Sequence, residues 1–352
     1  MGFGIWDLTT SALHQQVGRT IRKYGLCPPR SRVLVGLSGG SDSVALTLLL
    51  RDLATTGGFE IVAVAHLNHR LRESACRDEQ FCREFASGHG LSFITEGIDV
   101  RGYAAAQRLS LEEGARRVRY DFLHRAATQA GADRIAVGHT QDDQAETFLL
   151  KLMRGAGLTG LGGIYPRRGS IVRPLLDIAR DDLRRFLEKR GERWVDDETN
   201  TDMENPRNRL RHLVLPELDR TYGGPTRPAL ARAATLVRDD AEWLDQQADA
   251  KFTELAVIQK ALATDTAQYG PADTDRAFAE LDAAALGDLP APVRRRVLLR
   301  ALRTCAEPLE VALTHVETAQ EVLEGTRGGA DIPGGRVELR RGKLVLLKQG
   351  TF

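Results

Sequence analysis

The sequence predicts an α/β fold: a doubly wound parallel sheet joined to a smaller, mainly helical C-terminal domain closed by a short β-hairpin. Three observations carry that expectation. Over the first 190 residues, short apolar runs rich in β-branched residues alternate with longer segments of helical periodicity. The first run passes directly into a Gly/Ser-rich turn and then a helix, the layout of a ligand-binding edge in such sheets. Past Leu215 the alternation stops and long Ala- and Arg-rich segments follow. At 352 residues two domains are the natural division, and Pro216, Gly223, Gly224 and Pro225 mark the break, giving expected domains 1–216 and 217–352.

The strands expected are VLVGL (33–37), EIVAVAHL (60–67), LSFITEGI (91–98), RIAVGH (134–139) and SIVRPLL (170–176). Between them SVALTLLLRDLA, the stretch around DEQFCREFASGHG, and LEEGARRVRYDFLHRAATQAG repeat apolar residues at helical spacing. A further helix, ARDDLRRFLEKRG, is expected to end at Gly191. In the second domain, RPALARAATLVRDDAEWLDQQADAKF and VRRRVLLRALR read as helices on either side of a Pro/Gly/Asp-marked loop near 265–275. RVELRRGKLVLLK alternates apolar and polar residues around Arg341-Gly342, the pattern of a hairpin.

Composition narrows the function classes. Hydrophobic content of 42% with 28% charged residues excludes a mostly disordered chain. No apolar run reaches the roughly 20 residues of a membrane span, and the start, MGFGIWDLTTSALHQQ, lacks a secretory layout, so a cytoplasmic protein without membrane partners is expected. Cys27, Cys76, Cys82 and Cys305 form no C-x-x-C pair and no zinc pattern. The net charge of +1 is unevenly spread: 225–289 holds 6 Lys+Arg against 12 Asp+Glu, and 290–352 holds 11 against 7. A basic C-terminal face is the functional reading of that bias, and a solvated helix face is the plain one.

The most informative stretch is VLVGLSGGSDSVALTLLL. Glycines let backbone approach a ligand, and the helix start offers free N–H groups with a favourable dipole. Ser38, Ser41 and Ser43 add hydroxyls to Gly39, Gly40 and Asp42, making an anion cradle that is not a Walker A loop because no Gly-Lys-Ser/Thr follows. Further on, Asp143 and Glu146 stand three apart at the start of a helix that follows a parallel strand, so both should face the crevice. Two carboxylates there suit a cationic substrate or a magnesium ion on phosphates. Acid decoration of a helix N-terminus would also explain Asp142 and Asp143. Arg116 and Arg119, three apart on a helix, suit phosphate or RNA, or surface ion pairs. His139 at a strand end suits a phosphate or a purely structural bond; His66 and His69 follow another strand end.

SGGSDS resembles the S-G-G-x-D-S pyrophosphate loop of the N-type ATP pyrophosphatases, which implies a PP-loop, adenine nucleotide alpha hydrolase-like fold and ATP cleaved to AMP and pyrophosphate. HLNHRLR (66–72), LEEGARRVRY (111–120), AVGHTQDDQAET (136–147), LMRGAGLTGL (152–161), RPLL (173–176) and NPRNRLR (205–211) follow in order. Together they are similar to the tRNA(Ile)-lysidine synthetase family over about residues 15–220, and the length resembles its shorter form. Leu67 stands where Val is more usual, a small departure.

That resemblance implies an enzyme that adenylates C2–O of the wobble cytidine of a CAU-anticodon isoleucine tRNA and then joins free L-lysine to C2. It implies ATP contacts from Ser38, Gly39, Gly40, Ser41, Asp42, Ser43, His66 and His139, with Asp42 holding Mg²⁺ and no tightly bound organic cofactor. Asp143 and Glu146 would bind the lysine amine and, with Asp42, serve catalysis; Arg116, Arg119, Arg207 and Arg211 would hold the tRNA, and the basic C-terminal stretch would grip its body. The segment 155–163 would be a flexible loop near the substrate. A homodimer is left open. A tRNA thiolase making 2-thiocytidine is the nearest rival, poorly served by Cys76 and Cys82; a non-catalytic nucleotide-binding module is another.

Overall fold

The structure is a computed structural model that describes residues 6–70, 75–196, 203–258, 277–306 and 309–348. The described chain packs as two units, Met1–Arg238 and Asp239–Phe352. The first begins with α1 (Trp6–Lys23), β1 (Arg32–Gly36), α2 (Ser41–Gly57), β2 (Glu60–Asn68), α3 (Ala75–Gly88) and β3 (Phe93–Gly97). Then come α4 (Val100–Ala106), α5 (Leu111–Ala130), β4 (Arg134–Ala136), α6 (Gln141–Met153) and α7 (Leu158–Leu161). The strand pair β5 (Arg167–Arg168) and β6 (Ile171–Val172) precedes α8 (Arg180–Arg190), α9 (Pro206–Arg209), a π turn at Leu210–Val214 and α10 (Leu215–Tyr222). The helix α8 stops where expected, with Gly191 in the left-handed conformation.

The sheet runs β3-β2-β1-β4-β6-β5, parallel except for the edge pair β5–β6. Buried on both faces, β1 and β2 read as continuous apolar runs. One face packs Val33, Val35 and Val64 against Val44, Leu48 and Leu49 of α2 and Leu183 and Leu187 of α8. The other packs Leu34, Ala63, Ala65 and Ile135 against Val118, Phe122 and Ala126 of α5. The chain leaves β1 toward β2 on one side and reaches β4 on the other, so the strand order reverses between β1 and β4. The crevice beyond the carboxyl ends of those two strands is where such sheets bind ligands.

The unit boundary falls inside the long helix α11 (Thr226–Leu255) and not at the Pro/Gly stretch 216–226. The reason is packing: Ala231, Ala234 and Arg238 are buried in the first unit, and Arg238, 2% exposed, donates to Tyr24 Oη at 3.0 Å. The second unit continues with β7 (Ala256–Ile258), β8 (Ala277–Asp282), α12 (Ala283–Gly287), α13 (Ala291–Ala306), α14 (Leu313–Leu323), β9 (Gly329–Ile332), β10 (Gly335–Arg340) and β11 (Lys343–Lys348). The expected hairpin is β10–β11, turning at Arg341-Gly342. It is the middle of a five-stranded antiparallel sheet, β7-β8-β11-β10-β9, so this unit is mixed α/β and not merely helical with a hairpin lid. Its core joins Leu281, Leu344 and Leu346 of the sheet to Val297, Leu302 and Val316 of α13 and α14. The expected loop near 265–275, and Leu71 and Arg72 of the 66–72 motif, lie outside the described residues. No helix among the described residues is long and apolar enough to cross a membrane.

Candidate active site

The turn after β1 is built by its own serines. Ser43 Oγ accepts from Ser38 N at 3.1 Å, lies 3.1 Å from Ser38 Oγ, and donates to Gly40 O at 2.9 Å. Gly39 sits at φ +89°, and a Cβ there would meet Cys82 Sγ at 3.3 Å, so both backbone conformation and space call for glycine. Gly40 precedes α2 without any side-chain cap, leaving the first N–H groups of the helix for a ligand. Ser38, Gly40, Ser41, Asp42 and Ser43 line a cavity of about 1600 Å³ at the carboxyl ends of β1 and β4.

Asp42, in the first turn of α2, faces Asp143, in the first turn of α6, across one guanidinium. Arg180 donates from Nε to Asp42 Oδ2 at 2.9 Å and from Nη2 to Asp143 Oδ1 at 3.0 Å. Its own backbone N–H bonds Asp142 Oδ2 at 2.9 Å. Asp143 also fastens its own helix, because its Oδ2 accepts from Thr140 N at 2.8 Å and closes a capping box on α6. The two readings of this acid from sequence, helix cap and crevice ligand, therefore both describe it, one oxygen each. Burial raises the Asp42 carboxyl above its ordinary range despite Arg180, with the Asp143 charge adding to the rise. Burial also presses Asp143 upward, but Arg180, His139 and the Thr140 N–H outweigh it and hold Asp143 low. Neighbouring carboxyls driven apart in this way are how a site separates proton-binding from charge-holding roles.

Glu146 departs from expectation. It is 0% exposed, does not line the cavity, and accepts both Nε and Nη2 of Arg211 at 2.7 and 3.1 Å. Arg211, expected to meet RNA, is thus held in a bidentate pair, with Nη2 3.8 Å from Asp143 Oδ1. Arg227 pairs with Asp142 at 3.2 Å and Asp219 at 3.3 Å. Arg207 lines the cavity, its backbone N–H capped by Asn205.

The histidines have defined tautomers. His66 Nδ1 meets Leu37 O at 2.9 Å, and a carbonyl only accepts, so Nδ1 carries the proton. Burial lowers its pKa against the pull of that bond. Arg173 Nε donates to His139 Nδ1 at 3.2 Å, so His139 is protonated on Nε2. Its burial, with Arg119, Arg173 and Arg207 nearby, drives the imidazole pKa down to about 3 against the pull of Asp143. His139 is therefore a neutral donor at the cavity wall. Arg173 also reaches Tyr165 O at 2.7 Å and Tyr120 Oη at 3.4 Å. Arg116 and Arg119 each lie 5.3 Å from the Tyr120 ring centroid.

The glycine-rich segment expected to be flexible is fastened at its end. Gln144 accepts from Ile164 N at 2.6 Å and donates to Gly162 O at 3.2 Å, Lys151 donates to Gly163 O at 3.2 Å, and Arg238 to Ile164 O at 3.5 Å. Sequence reasoning brought Asp42, Asp143, His66, His139, Arg116, Arg119 and Arg207 to one cavity. It missed Arg180, and it quoted Arg173 and Tyr120 in motifs without giving them a role. Arg180 carried one signal: a cation in the first turn of a helix, against the dipole, needs anions in front of it.

Residues 10–218 match the PP-loop domain family, and residues 281–345 match the TilS substrate binding domain. A tRNA(Ile)-lysidine synthase of Thermus thermophilus is 39% identical over 319 residues, 91% of this chain and 57% of that protein. That of Geobacter sulfurreducens is 36% identical over 327 residues, 92% of this chain and 64% of that protein. The chain thus spans roughly three fifths of the length of these curated relatives. Among solved structures, the U34-tRNA thiolase NcsA from Methanococcus maripaludis shares the fold, with a TM-score of 0.54 and 17% identity over 65% of this chain and 80% of that one. A serine-and-glycine turn at the switch point of the sheet and a match to the PP-loop domain over more than half the chain lead to one placement: the chain belongs to the PP-loop family, and its relatives named above within that family are tRNA(Ile)-lysidine synthases.

Proposed function

We propose that the chain is a cytoplasmic ligase that joins L-lysine to C2 of the wobble cytidine in a CAU-anticodon isoleucine tRNA, consuming ATP and releasing AMP and pyrophosphate. The single observation that carries this reading is the Asp42–Arg180–Asp143 bridge beside the Ser38–Ser43 turn, in one cavity of a chain of this family. In the first step the cytidine O2 attacks the α-phosphorus of ATP and pyrophosphate leaves into the Ser38–Ser43 cradle. In the second the lysine amine attacks C2, AMP leaves with O2, and the amine proton passes to a carboxylate. Positioning and charge neutralisation do most of this work.

Asp42 and Asp143 offer oxygen donors converging on one cation, which fits a magnesium ion held by one or two carboxylates plus substrate phosphates. Such an ion would neutralise the charge on the phosphates. Asp143, the ionised member facing the cavity, is our candidate for the lysine ammonium, and Asp42, the raised one, for taking a proton. Glu146 then acts by positioning Arg211. Arg116, Arg119 and Arg207 are assigned to the RNA, His66 and His139 to the nucleotide, and the second unit to the tRNA body.

The test is ATP-dependent incorporation of labelled lysine into an unmodified CAU-anticodon isoleucine tRNA transcript. Incorporation that disappears in Asp42→Asn supports the reading. ATP cleaved to AMP with RNA present but no lysine incorporated overturns it and moves the choice to another nucleophile, sulfur first.

A further inference from the structure

The charges around the cavity are not mixed evenly. Beside the PP-loop, acids meet cations: Asp42 and Asp143 share Arg180, Glu146 takes Arg211, and Asp142 and Asp219 share Arg227. Arg116, Arg119 and Arg173 stand around Tyr120, and Lys151 and Arg168 line the same cavity. None of these five forms an ion pair with a carboxylate among the described residues. Glu112 and Glu113, one turn earlier on α5, line the cavity but make no ion pair with them.

Five cations held together without counter-charge repel one another. Arg116 and Arg168 depress the Lys151 ammonium below its ordinary pKa, after burial, and Arg116 and Arg119 add to burial in lowering Arg173. The fold nevertheless builds them in place. Arg173 is buried and bonded to Tyr165 O, Tyr120 Oη and His139; Lys151 is bonded to Gly163 O. Arg119 keeps a buried Nε with no hydrogen-bond partner. Fixed, uncompensated donors in a cavity are what an anion-binding site consists of.

We propose that this cluster is a second anion site, distinct from the PP-loop, that seats a phosphodiester of the RNA strand as the target nucleotide enters the cavity. The inference rests on the RNA-modifying reading above and names the part of the substrate held there. A backbone phosphate fits better than a base. The Tyr120 ring already faces the Arg116 and Arg119 guanidinium groups and is engaged in holding them, so it is not the open platform that base stacking needs. ATP's own phosphates belong at the Ser38–Ser43 turn, where helix N–H groups await them.

Binding of a 17-nucleotide CAU anticodon stem–loop RNA, measured by fluorescence anisotropy as a function of salt without lysine, tests the proposal. Arg116→Gln and Arg168→Gln change exposed side chains, so the fold should survive. Each should weaken RNA binding and flatten the plot of log affinity against log salt by up to about 0.7, the single-strand value for one phosphate neutralised. ATP affinity, read separately with a fluorescent analogue, should hold within about twofold of the parent's. An unchanged salt slope, or a loss that falls on ATP instead of RNA, overturns the proposal. So does a parent protein that binds no RNA. If RNA binding depends on the cluster while lysine is never incorporated, the anion site stands and the ligase reading fails.

Discussion

At the scale of single residues, Arg180 carries the most. It is the one guanidinium between Asp42 and Asp143, and these three side chains are only 11–19% exposed. Removing one partner from a buried ion pair leaves uncompensated charge and typically costs about 3–5 kcal/mol. Arg180→Met should therefore unfold at markedly lower urea than the parent at neutral pH, and the Asp42→Asn/Arg180→Met double variant should recover part of the loss, because it removes one of the stranded charges. No recovery in that double-mutant cycle would mean that Arg180 is held by packing and not by the carboxylates. The pH dependence has a definite sign. The folded pKa of Asp42 and of Glu146 lies above the ordinary value, so the folded state binds protons more readily and stability should rise as pH falls toward the ordinary carboxylate range. Asp143 is the opposite case: its depressed value contributes stability above the ordinary 3.8 that is lost only as pH falls through the folded value. Urea denaturation from about pH 8 to about pH 4 should show the rise in the parent and a shallower one in Asp42→Asn.

At the scale of elements, the site is a meeting of helix starts. The first turns of α2, α6 and α8 bring Asp42, Asp143 and Arg180 to the carboxyl end of the sheet, and the approach is close. A Cβ on Gly138, between β4 and α6, would meet the backbone of Asp42 and Ser43 at 3.1–3.2 Å. Backbone cannot rotate away as a side chain can, so Gly138→Ala should push α2 and α6 apart. An offset near 1 Å in a catalytic site costs on the order of 100-fold in rate. We expect that loss in pyrophosphate release with far-ultraviolet circular dichroism unchanged; full activity would show that the turns can shift without consequence. Much of this layer was legible in the sequence, because period-2 and period-3.6 patterns report burial directly, and the Gly/Ser turn declares its own chemistry. What was not legible depends on pairing at a distance. The sequence shows Glu146 three residues after Asp143, but not that Arg211, 65 residues on, engages both its oxygens. Nor does it show that Gln144, Lys151 and Arg238 fasten the segment ending at Ile164, which composition alone marks as loose. In the second sheet the alternation around Arg341-Gly342 marks β10–β11, and the equally short Pro333-Gly334 turn joins β9 to β10 without such alternation in β9; β8 pairs with β11 across a long stretch of chain, which no local turn reveals.

At the scale of the whole molecule, the same lesson bears on where RNA affinity resides. The Arg-rich C-terminal part reads as a basic grip when charges are counted along the chain. In the folded second unit Arg296 pairs with Asp245, Arg300 with Asp249, Arg336 with Asp331 and Glu338, Arg340 with Glu338, and Lys343 with Glu280. Charge matched at contact distance projects little field beyond the Debye length, about 8–10 Å in physiological salt. Arg116, Arg119, Lys151, Arg168 and Arg173 of the cavity, by contrast, have no such partners among the described residues and sit between low-dielectric walls that focus their field. The two sets should therefore behave differently. Arg336→Gln with Arg340→Gln removes exposed ion pairs, so stability should change by less than about 1 kcal/mol per pair. Affinity for whole tRNA should stay within about twofold, and its salt slope should hold. A drop of tenfold or more, with a flatter slope, would mean that RNA draws these arginines away from Asp331 and Glu338 on binding. The second unit would then contribute charge that the unbound fold keeps in reserve.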